Sequence, residues 1–258
     1  MERREFLAGA ALAGAALATA ESAAQEKPMA RQYYEHRLYH LLPGGRSGAI
    51  HDYLEQAAIP AWNRLGIGPV GVFTGVFGGE WTAVEVLLPH ASLESAATAN
   101  RALAADAEHL RAGAGFVDAA LPGPGYYRQE SSLLVSFSGM PALEVPERKE
   151  RIFELRIYES HSEKAAIKKI EMFNEGGEIA IFRETGLTPV FFGEALIGSR
   201  LPNLTYMLVF DDLADREASW AAFGANDKWK ALSADPQYKD TVSNIHSRIL
   251  RPLPYSQI

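Results

Sequence analysis

The sequence predicts an α+β protein built from two copies of one module. Three observations predict this fold class: an internal repeat at an offset of about 120 residues, the same order of strand and helix patterns in both copies, and a connecting stretch with one glycine and two prolines. We expect the first module at residues 30–135, the linker at 136–150 and the second module at 151–258. Modules of this length are typical of single compact domains.

The internal repeat keeps its order along the chain. The offset between similar segments rises only from 119 to 123 residues, as small loop insertions would produce. Chance similarity would not preserve the order of three segment pairs, so the pattern indicates an internal duplication. The pairs are YEHRLY at 34–39 with FELRIY at 153–158, IPAWNRLGIGPVGVF at 59–73 with IAIFRETGLTPVFFG at 179–193, and WTAVEV at 81–86 with LTYMLV at 204–209.

Each copy follows the order β-α-β-β-α-β. Alternating residues indicate strands, whereas apolar residues on one helical face, such as Ile50 and Leu54, indicate helices. Gly66 and Gly186 should end the first helix of each copy, and the Asn-Glu-Gly-Gly stretch at 174–177 should interrupt that helix in the second copy. The predicted strands are 33–41, 70–76, 81–88 and 126–135, then 152–159, 190–196, 204–210 and 242–250; the second helical regions are 93–111 and 215–232.

This element order is the ferredoxin-like arrangement, in which helices cover one face of a four-stranded sheet. The other face of each sheet must also be buried, and the sheet of the other copy is the natural partner. The predicted fold class is therefore α+β, with two tandem ferredoxin-like βαββαβ modules that form a dimeric α/β barrel-like arrangement within one chain.

Composition excludes several classes of function. The chain of 258 residues has a formal net charge of −7 and no cysteine. An acidic chain is a poor candidate for binding a phosphate backbone, so no nucleic acid partner is expected. The lack of cysteine excludes disulfides and a cysteine nucleophile. No segment after the N-terminal leader reaches transmembrane length, so we expect no membrane contact once the leader is removed; a homo-oligomer stays open.

The first 24 residues have the order of an export signal. Arg3 and Arg4 precede a run of Ala, Gly and Leu at 8–18, as in twin-arginine leaders. A small-x-small site follows, and we expect cleavage near Glu21, or alternatively after Ala24. The sequence thus predicts a periplasmic or secreted protein of bacterial type. Retention of this segment as a membrane anchor or as an amphipathic helix is the alternative.

Several stretches of the second copy are specific enough to suggest a family. They read FNEGGEI at 173–179, GLTPVFFGE at 186–194 and PNLTYML at 202–208, besides FELRIY at 153–158. With these motifs the second copy resembles the NIPSNAP domain, whereas the first copy is similar but lacks the Asn-Glu-Gly-Gly and Pro-Asn-Leu stretches. The resemblance implies the dimeric α/β barrel fold without a fixed catalytic motif. Related barrels include cofactor-free monooxygenases, haem enzymes and binding modules.

A polar triplet alternates with apolar residues in the first strand of each copy. We expect the apolar side chains to face the helices and the triplet to point into the barrel. An unpaired buried charge costs several kcal/mol, so these groups must pair or hold a ligand. The triplets therefore predict either a polar ligand pocket with an arginine as anion clamp, or Glu–Arg pairs that merely close the barrel. The residues are Glu35, Arg37 and Tyr39 in the first copy and Glu154, Arg156 and Tyr158 in the second.

The remaining candidate residues are expected to have structural roles. His36 and His40 are four apart on a strand, which places them about 13 Å from each other, so no metal site is predicted. His36 should face the helices as a satisfied structural histidine. The aromatic cluster of Trp220, Phe223 and Trp229 has the spacing of a helical core. No catalytic residue is assigned, and the sequence indicates no cofactor.

Three functions stay open. The first is a protein that binds a small molecule inside the barrel. The second is a cofactor-free monooxygenase or isomerase that acts on an activated organic substrate. The third is a structural or interaction module with a closed, dry barrel. A sizeable pocket beside the triplets favours the first two, and a base within hydrogen-bond reach of an open cavity favours the second over the first.

Overall fold

A computed structural model describes residues 30–42, 47–79, 82–120 and 125–258. The predicted export signal lies outside this part of the chain. Within the described residues, no helix is both long enough and apolar enough to cross a membrane.

The elements follow the predicted order in both modules. In the first, a π-helical segment, Leu54–Ala58, joins α1 to α2; in the second, a 3-10 turn, Pro236–Tyr238, precedes the last strand. The first module contains β1 (Tyr33–His40), α1 (Ser47–Tyr53), α2 (Ile59–Arg64), β2 (Gly71–Phe77), β3 (Ala83–His90), α3 (Leu93–Ala105), α4 (Ala107–Ala112), α5 (Ala114–Val117) and β4 (Arg128–Ser136); the second contains β5 (Ile152–Glu159), α6 (Glu163–Asn174), α7 (Glu178–Glu184), β6 (Thr188–Ile197), β7 (Asn203–Phe210), α8 (Leu213–Ala225), α9 (Asp227–Ala234) and β8 (Asn244–Pro252).

The eight strands form one closed barrel in the order β1-β3-β2-β8-β5-β7-β6-β4. Each module contributes four neighbouring strands in ferredoxin-like order. The two sheets join at antiparallel seams, β2 with β8 and β4 with β6. The predicted fold class is thus confirmed, and the barrel closes within a single chain.

Glycines end the helices where the sequence predicts. Gly66 and Gly186 adopt φ angles of 72° and 85°, the left-handed conformation that stops a helix. The predicted interruption after α6 is also confirmed, since Gly177, with φ of 85°, separates α6 from α7.

The second helical region of each module is broken, whereas the sequence predicted one helix. Asp106 and Asn226 stand at the breaks, and each side chain accepts two backbone N–H groups of the helix that follows. This capping competes with helix continuation, because a short polar side chain can satisfy the free N–H groups of a new helix start.

The barrel interior is filled by apolar side chains. Phe73 and Phe153 meet across it with ring centroids 5.0 Å apart, and Tyr34 lies 4.9 Å from Phe191. Two further cores lie outside the barrel, between each half of the sheet and its helices. The interior cluster comprises Tyr34, Phe73, Leu87, Leu134, Phe153, Leu155, Val190, Phe191, Met207, Val209 and Leu250.

The predicted orientation of the polar triplets is therefore wrong. Phe153 and Leu155 belong to the interior cluster, whereas Tyr158 packs in the core beneath the helices. Alternation along a strand tells which side chains share a face, but both faces are buried in this fold. The interior, enclosed by strands on all sides, holds the apolar cluster together with the paired side chains of His36, Glu85 and Arg248. The helical layer supplies polar partners for the charged residues of the triplets.

The stretch predicted as a linker packs against the second module. Phe137 and Met140 are buried in its helix-side core. The Phe137 and Glu144 amides donate to the carbonyls of Phe192 and Val190, at 3.1 and 2.9 Å. This stretch therefore runs along β6 and covers part of its edge.

Candidate functional site

A buried ion pair lies on the helix-facing side of β1. Arg37 donates to both carboxylate oxygens of Glu35, from Nε at 2.7 Å and from Nη2 at 2.8 Å. The two residues are two apart on one strand, so their side chains share a face. Ser131 of β4 donates its hydroxyl to Glu35 at 2.6 Å. The result is a bidentate carboxylate–guanidinium pair whose geometry is fixed from two strands.

The environment holds Glu35 in its charged form. Burial by itself would raise the pKa of this carboxyl group. Interactions with His90, Arg37 and Ser131 outweigh burial and lower the pKa to about 2. Arg37 is 3% exposed, so its charge is compensated by the carboxylate and not by water.

The second module repeats this pair with more partners. Glu154 accepts from Arg156 at 3.0 Å and from Ser247 at 2.6 Å, the equivalents of Arg37 and Ser131. It also accepts two hydrogen bonds from Arg216, at 2.9 and 2.7 Å, and one from the indole of Trp220 at 2.8 Å. Although burial opposes it, these donors lower the pKa of Glu154. Both arginines thus pair with a glutamate, which is one of the two arrangements that the sequence left open.

The ion pair of the first module lies at the base of an open cleft. This cleft has a volume of about 410 Å³ and lies between β1, the turn of α3 into α4, and α5. Arg37 and Tyr39 belong to its lining, and the Arg37 Nη1 group lies 3.5 Å from the Tyr39 hydroxyl. The lining residues are Arg37, Tyr39, Tyr53, Asn100, Leu103, Ala104, His109, Leu110, Phe116, Val117, Tyr126 and Gln129.

One helix position distinguishes the two modules. Asn100 is the eighth residue of α3 and Trp220 is the eighth residue of α8, two helices of 13 residues each. Asn100 accepts a hydrogen bond of 2.8 Å from Arg37 through its short amide. Trp220 instead lies over Arg156, with its ring centroid 4.4 Å from the guanidinium carbon. The equivalent position in the first module thus carries a short amide instead of an indole, beside the cleft that Arg37 lines. Arg37 still lies on an indole of α2, since its guanidinium carbon is 5.4 Å from the ring centroid of Trp62.

A second position contributes to the same difference. His109 in α4 corresponds to Trp229 in α9, since each is the third residue after the capping residue of its helix. Trp229 packs on Phe223 with centroids 4.3 Å apart, which confirms the aromatic cluster as core. In the first module His109 leaves the cleft open.

His109 has a defined tautomer. Its Nδ1 lies 2.9 Å from the carbonyl oxygen of Leu103, which can only accept, so Nδ1 carries a proton. In the neutral ring, Nε2 therefore accepts from the hydroxyl of Tyr53, 3.1 Å away. Burial raises the pKa of Tyr53, which keeps its hydroxyl protonated. The cleft thus contains a basic ring nitrogen hydrogen-bonded to a phenol.

The structure separates the predicted residues into two groups. Arg37 and Tyr39 line the open cleft, with Glu35 paired to Arg37, whereas Glu154, Arg156 and Tyr158 lie against the aromatic side chains of the second module. Because β1 and β5 are four strands apart in the barrel of eight, the two groups lie on opposite sides of it.

Sequence reasoning missed Asn100, His109, Tyr53 and Gln129. For the first two, a signal was present: both are replaced by tryptophan when the repeats are aligned at an offset of 120 residues. Such a loss of side-chain volume between two copies of one module indicates a cavity in the copy with the smaller residues.

Of the other histidines, His90 lies 3.7 Å from Glu35, whereas His36 lies outside the cleft. His36 faces the barrel interior, not the helices as predicted, and is 2.7 Å from Glu85. Burial opposes ionisation of Glu85, but His36 and Arg248 lower its pKa. This pairing explains how an imidazole is accommodated in an apolar interior. Within the described ranges, no three His, Asp or Glu side chains converge to hold a metal ion.

Fold and site together define a class: a single-chain α/β barrel with a buried Glu–Arg pair in each half and a cleft above one of them. Comparison of sequences adds a family for the second half. The sequence model of the NIPSNAP family matches residues 153–257, nearly all of the second module. A comparison with curated proteins found no matching sequence.

Several solved structures with the same fold can be aligned over both modules of this chain. A "putative monooxygenase" from Lactobacillus acidophilus NCFM has 9% identity and a TM-score of 0.55, covering 86% of this chain and 94% of that one. A second, from Fusobacterium nucleatum, has 10% identity and a TM-score of 0.52, covering 87% and 94%. An "anthrone oxidase-like protein" has 11% identity and a TM-score of 0.51, covering 86% and 92%. These likenesses establish the fold alone.

Proposed function

We propose that the first module binds a small aromatic molecule with a carbonyl or carboxylate group in the cleft above Arg37. The observation that carries this proposal is the exchange of Asn100 for Trp220 between equivalent helix positions. At this position the second module places an indole on its arginine, whereas the first module places a short amide beside the cleft that Arg37 lines.

The walls of the cleft suit a flat, apolar ligand. Tyr53 stacks on Phe116 with centroids 4.1 Å apart, and Tyr126 meets Tyr39 edge-on at 5.2 Å. Aromatic side chains of this kind favour an aromatic guest through stacked or edge-to-face contacts. A volume of about 410 Å³ lies within the range of small-molecule sites.

The base of the cleft suits a hydrogen-bond acceptor. Glu35 neutralises the charge of Arg37 but occupies Nε and Nη2, while Asn100 shares Nη2. The Nη1 group has a long contact of 3.5 Å to the Tyr39 hydroxyl. A donor held this way favours a carbonyl or carboxylate oxygen over a purely apolar guest.

A binding experiment with one substitution tests the proposal. Asn100→Trp copies the second module and should fill the cleft, whereas Arg101→Trp places the same indole at an exposed position on the same helix. Ligand-observed NMR with benzoate, acetophenone and toluene should show binding to the wild type in which both oxygenated probes exceed toluene. Binding should be lost in Asn100→Trp and kept in Arg101→Trp. Equal binding of all three probes by both variants would refute the proposal and favour a closed structural module.

A second candidate, proton transfer within the same cleft, is favoured by the His109–Tyr53 pair. A neutral imidazole with a fixed tautomer is suited to accept a proton from an acidic C–H, as an isomerase or a cofactor-free oxygenase requires. Anthrone is a suitable probe because its C–H is acidified by a carbonyl and two rings; with one O₂ it gives anthraquinone and one water. His109→Gln should slow catalysed oxidation by about 100-fold or more. A wild-type rate equal to the background rate would exclude this activity for anthrone.

We further propose that the protein acts outside the cytoplasm, from the twin-arginine pattern in its first residues. Replacing Arg3 and Arg4 by lysine should retain the precursor in the cytoplasm, as measured by cell fractionation. Normal export of this double variant would contradict a twin-arginine route.

A further inference from the structure

A cavity at one end of the barrel lies apart from the cleft. It has a volume of about 360 Å³ and lies between residues 145–151, which lead into β5, and residues 251–258, which end β8 and continue beyond it. Phe153, from the interior cluster, forms part of its lining. The cavity therefore lies at one mouth of the barrel, against a side chain of the interior cluster.

The internal duplication provides a reference for this region. The segment after β4 runs along β6, with the Glu144 amide bonded to the Val190 carbonyl at 2.9 Å. The segment after β8 runs in the same way along β2, with the Gln257 amide bonded to the Val70 carbonyl at 2.9 Å. Equivalent segments, one after β4 and one after β8, thus run beside β6 and β2.

In the first half, a glutamine just before β1 is hydrogen-bonded to the segment that follows β4. The Gln32 amide donates to the Pro141 carbonyl at 2.9 Å, and its side-chain oxygen accepts from the Leu143 amide at 2.8 Å. The residue that corresponds to Gln32 at an offset of 119 is Arg151. In the second half, this position lines the cavity instead of closing it.

Arg151 is buried without a matching hydrogen bond. Its residue surface is 8% exposed, and Nε makes no hydrogen bond within the described part of the chain. Lys149, and to a lesser extent Arg151, lower the pKa of the nearby Asp211, but this carboxylate forms its ion pair with Lys149, at 2.6 Å. A buried guanidinium with an unused N–H is costly unless an acceptor reaches it.

The other lining groups combine charge with apolar surface. Four of the lining side chains are cationic and two are acidic, so the excess charge is positive. Most of the other lining side chains are apolar, among them Phe153, Leu253 and Ile258, and two are polar, Ser256 and Gln257. An anion with a hydrocarbon body matches both properties. The cationic residues are Arg148, Lys149, Arg151 and Arg251, and the acidic ones are Glu147 and Glu150.

We propose that this cavity is a second ligand site, which binds an amphipathic carboxylate such as a medium-chain fatty acid. The carboxylate accepts from the Arg151 guanidinium, and the hydrocarbon chain lies on Phe153 and Leu253. The site is independent of the cleft above Arg37, because it belongs to the other half of the chain and to the end of the barrel.

Titration calorimetry with octanoate tests the site, with octanol and acetate as probes that lack the charge or the chain. Octanoate should bind at one site and at least tenfold more tightly than either. Arg151→Gln, which copies Gln32, should weaken octanoate at least tenfold and leave octanol unchanged. Unchanged octanoate affinity in this folded variant, or no saturable binding by the wild type, would overturn the proposal.

A second pair of variants tests the site even if Arg151→Gln does not fold. Val145→Asp adds a negative charge at an exposed rim position and should also weaken octanoate, while Leu213→Asp, similarly exposed but outside the cavity, should not. Amide shifts in two-dimensional NMR should move near Leu253 and not near Asn100. Asn100→Trp should retain octanoate binding, which separates this site from the cleft; shifts confined to the region of Asn100 would refute it.

Discussion

The guanidinium carbon of Arg156 lies 4.4 Å from the ring centroid of Trp220. In the first module the equivalent helix residue is Asn100, which accepts a hydrogen bond from Arg37 and lies beside the cleft that Arg37 lines. The two halves of the chain therefore share the same charged centre and differ in the helix residue that lies against it.

Removal of the indole should open the second module. Trp220→Asn deletes a large, partly buried side chain and a hydrogen bond to Glu154, so we expect a loss of about 3 kcal/mol in the free energy of unfolding. Urea denaturation measures it, with the exposed Ala221→Asn as a control on the same helix. The variant should also acquire binding of benzoate. A fully stable variant that binds nothing would show that the indole does not define the closed state.

The buried ion pair of the second module should contribute more to the free energy of unfolding than an exposed ion pair does. Glu154→Gln leaves Arg156 and Arg216 without their carboxylate, and the expected loss is about 3 kcal/mol. Glu184→Gln breaks the exposed pair with Lys228 and should cost less than about 1 kcal/mol. Both values come from denaturant unfolding at pH 7. Similar losses for the two variants would contradict a dry ion pair.

Stability should depend on pH through Glu35. Its pKa falls from 4.5 in the unfolded chain to about 2 in the folded protein. A lowered folded-state pKa stabilises the fold above pH 4.5, and this contribution is lost as the pH falls towards 2. The stability difference between wild type and Glu35→Gln, up to about 3 kcal/mol at pH 7, should therefore shrink across this window. A difference that is constant between pH 7 and pH 2 would argue against the lowered pKa.

The isolated second module should dimerise. Residues 151–258 alone would expose the edges of β6 and β8, which pair with the first module in the whole chain, together with the apolar face that carries Phe153. Exposed edges and an apolar sheet face favour association. Light scattering after gel filtration should give a dimer for this fragment; a stable monomer would show that the seams contribute little.

The tautomer of His109 can be read directly. Long-range ¹⁵N NMR should show a protonated Nδ1 and an unprotonated Nε2 in the neutral ring, because the Leu103 carbonyl can only accept. Tyr53→Phe should shift the Nε2 resonance by removing its donor and leave Nδ1 protonated. The opposite tautomer would remove the basis for proton transfer to His109.

Much of the fold could be predicted because its signals are local. The strand at 152–159 was predicted with its observed bounds, and Gly66 and Gly186 end helices as expected. The breaks at Asp106 and Asn226 were missed because a capping side chain resembles any polar residue on a helix surface. The Glu–Arg pairing was predicted from the cost of buried charge, which holds whichever face is buried.

The sequence by itself determined the internal repeat, the order of elements and the residues that share a strand face, since periodicity and internal similarity are properties of the chain. Only the tertiary structure decided that Phe153 faces the barrel interior and Glu154 the helices, because both faces are buried and alternation is the same for either choice. It also decided which module is open. That depends on whether Asn100 or Trp220 meets an arginine from a distant strand, and the volume left between them exists only once sheet and helix are packed together.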